Sequence, residues 1–170
     1  MCALDAGLRS VAAPEPGVFR PSAAEERREH VREITLLSAH GRTRAQRSLT
    51  FADGRAQLPG ESISRIRLAE LGFAAPDLQV AIPGPSGRDC YVDFGLDDAR
   101  AWGEFDGETK YRDEALRSGL TVEEVLLREK QREDWIRGCT HRPMARWQWT
   151  HLRTADTLAR RLAAFGIRPS

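Results

Sequence analysis

Three short apolar runs in the middle of the chain restrict its fold more than any other feature of the sequence. They cover residues 78–82, 89–96 and 101–105. The stretch PGPSG separates the first two runs, and the pair Asp97-Asp98 turns the chain between the second and the third. Strands joined by such short turns pair antiparallel. The runs therefore predict a three-stranded antiparallel meander.

Helical patterns flank these runs. One helix is expected to begin at Pro59 and to stop at Gly72, because glycine commonly ends helices. A second is expected after Thr121, a favourable N-cap residue, and is expected to end at Gly138. Residues 144–150 alternate like a fourth strand, which must cross over a helix and is therefore expected to pair parallel. With a last amphipathic helix, the order predicts an α/β domain: helix, three-strand meander, helix, strand, helix.

The first 58 residues are instead expected to form a helical N-terminal appendage to the α/β domain at 59–170. Ser22 is expected to cap one helix, with Glu25 as its capping-box partner, and residues 43–53 are expected to form another. These helices mix glutamates with six arginines: Arg27, Arg28, Arg32, Arg42, Arg44 and Arg47. Mixed charge is typical of a solvated surface, and a phosphate-contacting surface is the alternative.

The composition of the chain excludes several classes of protein. The net charge is +1, so the chain lacks the strong basicity of many nucleic-acid-binding proteins. No apolar run approaches the ~20 residues that a membrane-spanning helix needs, and no secretory signal is recognisable. Cys2, Cys90 and Cys139 are too scattered for a disulfide framework or a zinc site. We therefore expect a cytoplasmic protein without a membrane partner.

The meander predicts a cluster of acidic side chains. Asp93 and Glu104 each interrupt an apolar strand, and the short turn between the strands would bring them side by side. Asp106 would lie on the same face of the sheet as Glu104 for as long as the strand continues. Glu61, in the first turn of the preceding helix, is a fourth candidate. Hard cations such as Mg²⁺ prefer oxygen ligands of this kind, so the cluster predicts a divalent-metal site.

Each acid also has an ordinary structural interpretation. Asp93 would then be an edge-strand carboxylate, Glu104 the partner of an arginine, and Asp106 part of a turn with Gly107. A core strand avoids unpaired carboxylates because burying the charge is costly, and this favours a metal. From the residues alone, both interpretations stay open.

Five short motifs taken together resemble a known family. They are Pro59-Gly60-Glu61-Ser62, Tyr91-Val92-Asp93-Phe94, Gly103-Glu104-Phe105-Asp106-Gly107 with Lys110-Tyr111, Glu129-Lys130-Gln131-Arg132-Glu133-Asp134, and Arg146-Trp147-Gln148-Trp149. This pattern, within residues 59–165, resembles the domain-of-unknown-function family related to the very-short-patch repair endonucleases, in the PD-(D/E)XK nuclease superfamily. The set is fairly specific, although no single motif is. The resemblance implies a restriction-endonuclease-like core.

The resemblance also implies roles for the acidic residues. Glu61 matches the helix glutamate of the family, Asp93 its central metal-binding aspartate, and Glu104 with Asp106 the acidic pair on the next strand. By this resemblance Asp93, Glu104 and Glu61 would bind Mg²⁺ or Mn²⁺, and Asp106 would assist.

Two positions depart from the pattern of the family. Lys110 stands where many relatives have a histidine, and Asp106 stands where the general signature of the superfamily has a lysine. Lys110 and Lys130 are the two lysines of the chain and are therefore the expected substitutes for the missing one. An ion pair between Lys130 and Asp134, one helical turn apart, is the alternative interpretation of Lys130.

The function expected from these features is metal-dependent hydrolysis of DNA phosphodiester bonds by an endonuclease or nickase. The alternatives are a catalytically inactive nuclease-like module, DNA-binding or antitoxin-type and regulatory, and a purely structural domain. In actinobacterial proteins of the abortive-infection antitoxin type, such a domain follows a winged-helix region, which this sequence lacks. We therefore expect a fragment or a short relative whose winged-helix domain or protein partner lies elsewhere.

Overall fold

The computed structural model describes residues 1–13, 18–38, 40–85, 87–107 and 119–170. The chain divides into two compact units, Met1–Ile63 and Ser64–Ser170, and the division falls within one helix. The domain boundary expected between residues 58 and 59 stays a prediction.

The first unit contains helices α1 (Cys2–Ala12), α2 (Pro21–Leu36) and α3 (Arg42–Phe51), and the first residues of α4 (Pro59–Glu70). Its core is built mainly from small and aliphatic side chains: Leu8, Ala12, Ala24, Leu49, Ala52 and Ala56. The buried carboxylate of Asp5 accepts a hydrogen bond from the backbone N–H of Asp53 at 2.8 Å. This bond ties α1 to the segment that follows α3.

The start of α2 differs from the prediction. Ser22 does not cap the helix, because α2 begins one residue earlier, at Pro21, and Arg20 is its N-cap residue without a side-chain cap. Proline suits the first helical turn, where its missing N–H and fixed φ cost nothing. The helix therefore starts at the proline instead of at the better hydrogen-bonding residue.

The second unit is built on a mixed four-stranded sheet. Its strands are β1 (Asp77–Pro83), β2 (Asp89–Leu96), β3 (Ala101–Phe105) and β4 (Met144–Trp147), and they lie side by side in that order. The first three form an antiparallel meander, and β4 pairs parallel with β3. The predicted α/β class, the meander and the parallel fourth strand are confirmed.

Two helices complete this unit, α5 (Val122–Thr140) before β4 and α6 (Ala155–Ala163) after it. The predicted cap at Thr121 is confirmed: its hydroxyl accepts from the N–H of Glu124, whose carboxylate accepts from Thr121 in return. The end predicted at Gly138 was wrong, since α5 continues to Thr140 and His141 closes it in a left-handed conformation. The sequence predicts a loop over residues 112–121, up to the cap at Thr121, and most of those residues lie outside the described part of the chain.

The fourth strand is shorter than its alternating pattern predicted. It ends at Trp147, and Trp149–Leu152 form a 3₁₀ helix. The N–H of Gln148 donates to Nδ1 of His151 at 3.0 Å, and this local bond replaces a strand pairing. In the described part of the chain, no helix is long and apolar enough to cross a membrane.

Trp147 is one of the largest fully buried side chains of the second unit. It is fully buried, stacks on Phe94 with ring centroids 5.3 Å apart, and donates from Nε1 to the hydroxyl of Ser64 at 2.7 Å. Its ring lies against Gly103, where a Cβ atom would come within 2.7 Å of Cζ3. Position 103 therefore excludes any side chain.

We expect Gly103→Ala to lower the free energy of unfolding by about 1–3 kcal/mol, because overpacking a tight core forces its neighbours out of place. Gly138→Ala is the matched control. Gly138 lies in α5 with nothing near its missing Cβ, so alanine there should add about 0.5–1 kcal/mol. Urea unfolding of both variants measures the difference, and equal stability would contradict the packing argument.

Candidate functional site

Asp93 and Glu104 lie on neighbouring antiparallel strands, as the sequence predicted. The pair Phe94–Gly103 is in register between β2 and β3, so Asp93 and Glu104 are the next facing positions along the ladder. A carboxylate oxygen of Asp93 accepts from the N–H of Phe105 at 2.8 Å. Glu104 is 3% exposed, and the two acids interact electrostatically.

Two arginines hold the Glu104 carboxylate. Arg132 of α5 donates to Oε1 at 2.5 Å, and Nη2 of Arg146 on β4 lies 2.9 Å from Oε2. Arg146 is the register partner of Glu104 on the parallel strand, so the strand pairing itself brings the two together. Each carboxylate oxygen therefore has its own guanidinium.

The two arginines also bind acids of α5. Nη2 of Arg146 lies 2.8 Å from Glu129, and its Nε lies 3.2 Å from Glu133. Arg132 contacts Glu129 at 3.2 Å. Because residues three and four apart share one helix face, Glu129, Arg132 and Glu133 all point toward the sheet. We call Glu104, Glu129, Glu133, Arg132 and Arg146 the ion-pair cluster.

Burial and charge act in opposite directions on these groups. Burial raises the pKa of Glu104 above its ordinary value, against the lowering effect of Arg132 and Arg146, and Asp93 adds to the rise. Burial alone would lower the pKa of Arg132, but Glu104 and then Glu129 outweigh it and raise that pKa. Arg132 therefore stays charged, and Glu104 depends on the arginines to stay ionised.

Gln79 is a member of the site that the sequence did not predict. It lies on β1, and its side-chain amide donates to Oδ1 of Asp93 at 3.3 Å. Its φ is +53°, a left-handed conformation that a non-glycine residue in a strand rarely adopts. Nothing in the strand-like run 78–82 distinguishes this residue. Strained residues of this kind recur at functional sites, and this supports the assignment of a functional site around Asp93.

The other predicted site residues are placed as follows. Asp106 directly follows β3, is buried, and donates its backbone N–H to the carbonyl of Trp147. Glu61 belongs to the first unit, where its carboxylate accepts from the N–H of Gln57 at 2.8 Å. Lys130 lies on α5 and is exposed, and Lys110 lies outside the described residues.

The donor set does not fit a divalent metal ion in this arrangement. Both oxygens of Glu104 are bound by guanidinium groups, and those of Asp93 accept from Gln79 and Phe105. Among residues 1–107 and 119–170 as described, no group of three or more His, Cys, Asp and Glu side chains could hold a metal ion. The cluster therefore satisfies its carboxylates with arginine.

The chain resembles two uncharacterized proteins of Mycobacterium tuberculosis, MT2308 of strain CDC 1551 and Rv2248 of strain H37Rv. It is 32% identical to each over 106 residues, which is 62% of this chain. The chain spans about a third of the length of these curated relatives. No protein-family model matches it, and no solved structure does.

We expect Arg132→Met to lower the free energy of unfolding at pH 7 by about 3 kcal/mol, because it leaves buried acids short of a partner. Arg128→Met is the matched control: the residue is exposed on the same helix, and its loss should change stability by less than about 0.5 kcal/mol. Methionine and arginine have similar helix propensities, so the comparison isolates the ion pairs. Urea unfolding measures both, and equal effects would contradict the structural role of the cluster.

The loss in Arg132→Met should depend on pH. Without Arg132 the folded-state pKa of Glu104 rises further above its ordinary value, so the folded state binds the proton more tightly than the unfolded state. The deficit relative to wild type should be complete above that raised pKa, and should shrink as the pH falls through it toward 4.5. Unfolding curves of both proteins between pH 7 and pH 4.5 test this. A constant deficit would show that Glu104 does not titrate in this range.

Proposed function

We propose that residues 64–170 form a restriction-endonuclease-like module that does not hydrolyse nucleic acid and acts as a DNA-binding regulatory domain of the antitoxin type. The observation that carries the proposal is the Glu104 carboxylate, bound on one oxygen by Arg132 and on the other by Arg146. The order of helices and strands and the facing of Asp93 and Glu104 support the relation to nucleases. The contacts of Arg132 and Arg146 with Glu104 support the proposal that the module has lost metal-dependent chemistry.

The energetics of Glu104 favour this interpretation. A divalent ion would have to displace two guanidinium groups from a carboxylate that is 3% exposed. Those groups would then lose a partner in a partly buried environment, and breaking such a pair costs about 3–5 kcal/mol. Asp106 also stands where the nuclease signature has a lysine. The change removes a positive charge and adds a negative one beside acids that already need neutralising.

A second candidate function is hydrolysis of DNA by a Mg²⁺- or Mn²⁺-dependent endonuclease. Asp93 and Glu104 favour it, because they face each other on adjacent strands and interact electrostatically. Their pairing is what a site for a hard cation would need. In this candidate Arg132 and Arg146 leave Glu104 when the metal binds, Glu61 and Asp106 assist, and Lys110 or Lys130 supplies the missing lysine.

A supercoiled-plasmid assay with Mg²⁺ and with Mn²⁺ separates the two candidates. We expect wild type and Glu104→Ala to give the same background nicking, because in this proposal Glu104 binds arginines and not a metal ion. Glu123→Ala, which removes an exposed acid from the first turn of α5, is the control for general effects of charge. Thermal melts should show no stabilisation of wild type by Mn²⁺.

Metal-dependent relaxation by wild type and by Glu123→Ala, abolished in Glu104→Ala, would reverse the choice in favour of the endonuclease. A rise in melting temperature with Mn²⁺ that Glu104→Ala loses would support the same conclusion, since a ligand that binds only the folded state stabilises it. Lys110→Met and Lys130→Met would then identify which lysine takes part.

A further inference from the structure

Helix α3 and the turn before it form a segment that contains arginine but no acid. Residues 34–52 include Arg42, Arg44 and Arg47 and neither aspartate nor glutamate. The chain as a whole has 26 basic and 25 acidic residues. The local excess of positive charge is therefore concealed in the net charge of +1, and it appears only when this segment is considered alone.

One face of α3 is polar and open to solvent. Thr43, Gln46, Arg47 and Thr50 recur at spacings of three and four residues and, with Phe51, line a shallow groove of about 400 Å³. Leu49 is 2% exposed and anchors the helix in the core of the first unit. Arg44, one turn before Arg47 and Ser48, is also exposed. The face therefore presents guanidinium, hydroxyl and amide groups together.

The arginines of the first unit differ in what they bind. Arg28 and Arg32 of α2 pair with Glu25 and Glu29, and Arg42 donates to the carbonyl of Leu36 at the end of α2. By contrast, Arg44 and Arg47 have no ion pair or hydrogen bond within the described part of the chain. These two charges are available to a ligand.

Three acids of α2 lie on another surface. Glu26, Glu29 and Glu33 line a separate concavity together with His30 and with Val11 of α1. That concavity is thus lined by three acids and by Arg27, whereas no acid lines the groove of α3. The α3 face is complementary to a polyanion, with no carboxylate of its own helix to repel one.

We propose that the exposed face of α3 binds the phosphate backbone of duplex DNA through Arg44 and Arg47. Arginine forks match phosphate oxygens, and hydroxyl and amide side chains such as Thr43 and Gln46 add the hydrogen bonds common at such contacts. This surface lies in the first unit, so its role does not depend on any chemistry at Glu104.

Two features favour duplex DNA over other nucleic acids. An α-helix with its side chains is ~10–12 Å wide, so it can enter the ~12 Å major groove of B-DNA and reach the phosphates on either side. The major groove of an RNA duplex is too narrow to admit it. Phe51, the aromatic residue that lines the groove, is half-buried, and the exposed residues of the face, Thr43, Arg44, Arg47 and Thr50, are all non-aromatic. Proteins that bind single strands rely on exposed aromatic platforms for stacking.

Fluorescence anisotropy with a labelled 20-base-pair duplex, titrated with the full chain over a series of NaCl concentrations, tests the proposal. Neutralising two phosphate contacts should reduce the slope of log K against log[salt] by about two units. We therefore expect Arg44→Gln/Arg47→Gln to bind roughly tenfold more weakly at low salt. Arg44→Lys/Arg47→Lys retains both charges and should retain most of the slope.

The matched control is Arg20→Gln/Arg27→Gln, which removes the same charge from exposed positions outside the α3 groove and should leave the slope near that of wild type. Circular dichroism verifies that each variant is folded. No salt-sensitive binding by wild type, or equal slopes for the two glutamine pairs, would overturn the proposal. Tighter binding of a single strand or an RNA duplex of the same sequence would overturn the assignment to duplex DNA. Absence of binding by wild type would also contradict DNA binding by residues 64–170, whereas equal slopes for the two glutamine pairs would overturn the α3 proposal alone.

Discussion

The Glu104 carboxylate connects three elements of the second unit through two ion pairs. It lies on β3, Arg146 lies beside it on β4, and Arg132 reaches it from α5. The connection from β3 to β4 must cross over a helix, because the two strands are parallel. The ion pairs bind that helix to both of the strands that it connects. The arrangement of the site and the topology of the fold are thus stabilised by the same contacts.

The parts of this fold that could be predicted from the sequence are those that depend on local interactions. The meander follows from apolar runs and short turns, and the start of α5 follows from a threonine whose cap closes within four residues. Two of the errors arose where two local signals competed. Proline started α2 before Ser22 could cap it, and a bond between Gln148 and His151 ended β4 within an alternating pattern that resembles a longer strand.

The acids of the candidate site could be predicted from the sequence, and so could an arginine partner for Glu104, but not which arginines provide it. The register of a hairpin places Asp93 opposite Glu104, and an apolar strand makes each acid conspicuous. Arg132 lies 28 residues from Glu104, and only the packing of α5 on the sheet brings them together. The spacing of Glu129, Arg132 and Glu133 on one helix face was a signal for this, but it is also common on solvated helices. Gln79 gave no signal, because its left-handed conformation depends on the surrounding strands.

Arginine makes contacts in the ion-pair cluster that lysine could not make. Arg132 donates to Glu104, to Glu129 and to the backbone carbonyl of Tyr91, three acceptors in different directions. A planar guanidinium with five N–H groups can serve them together, whereas an ammonium is a compact point charge on a flexible stem. Lysine stands at two of 26 basic positions in the chain, and neither is 132 or 146. Lysine at position 132 would therefore leave some of these acceptors without a donor, so the ion-pair cluster depends on the shape of the guanidinium as well as on its charge.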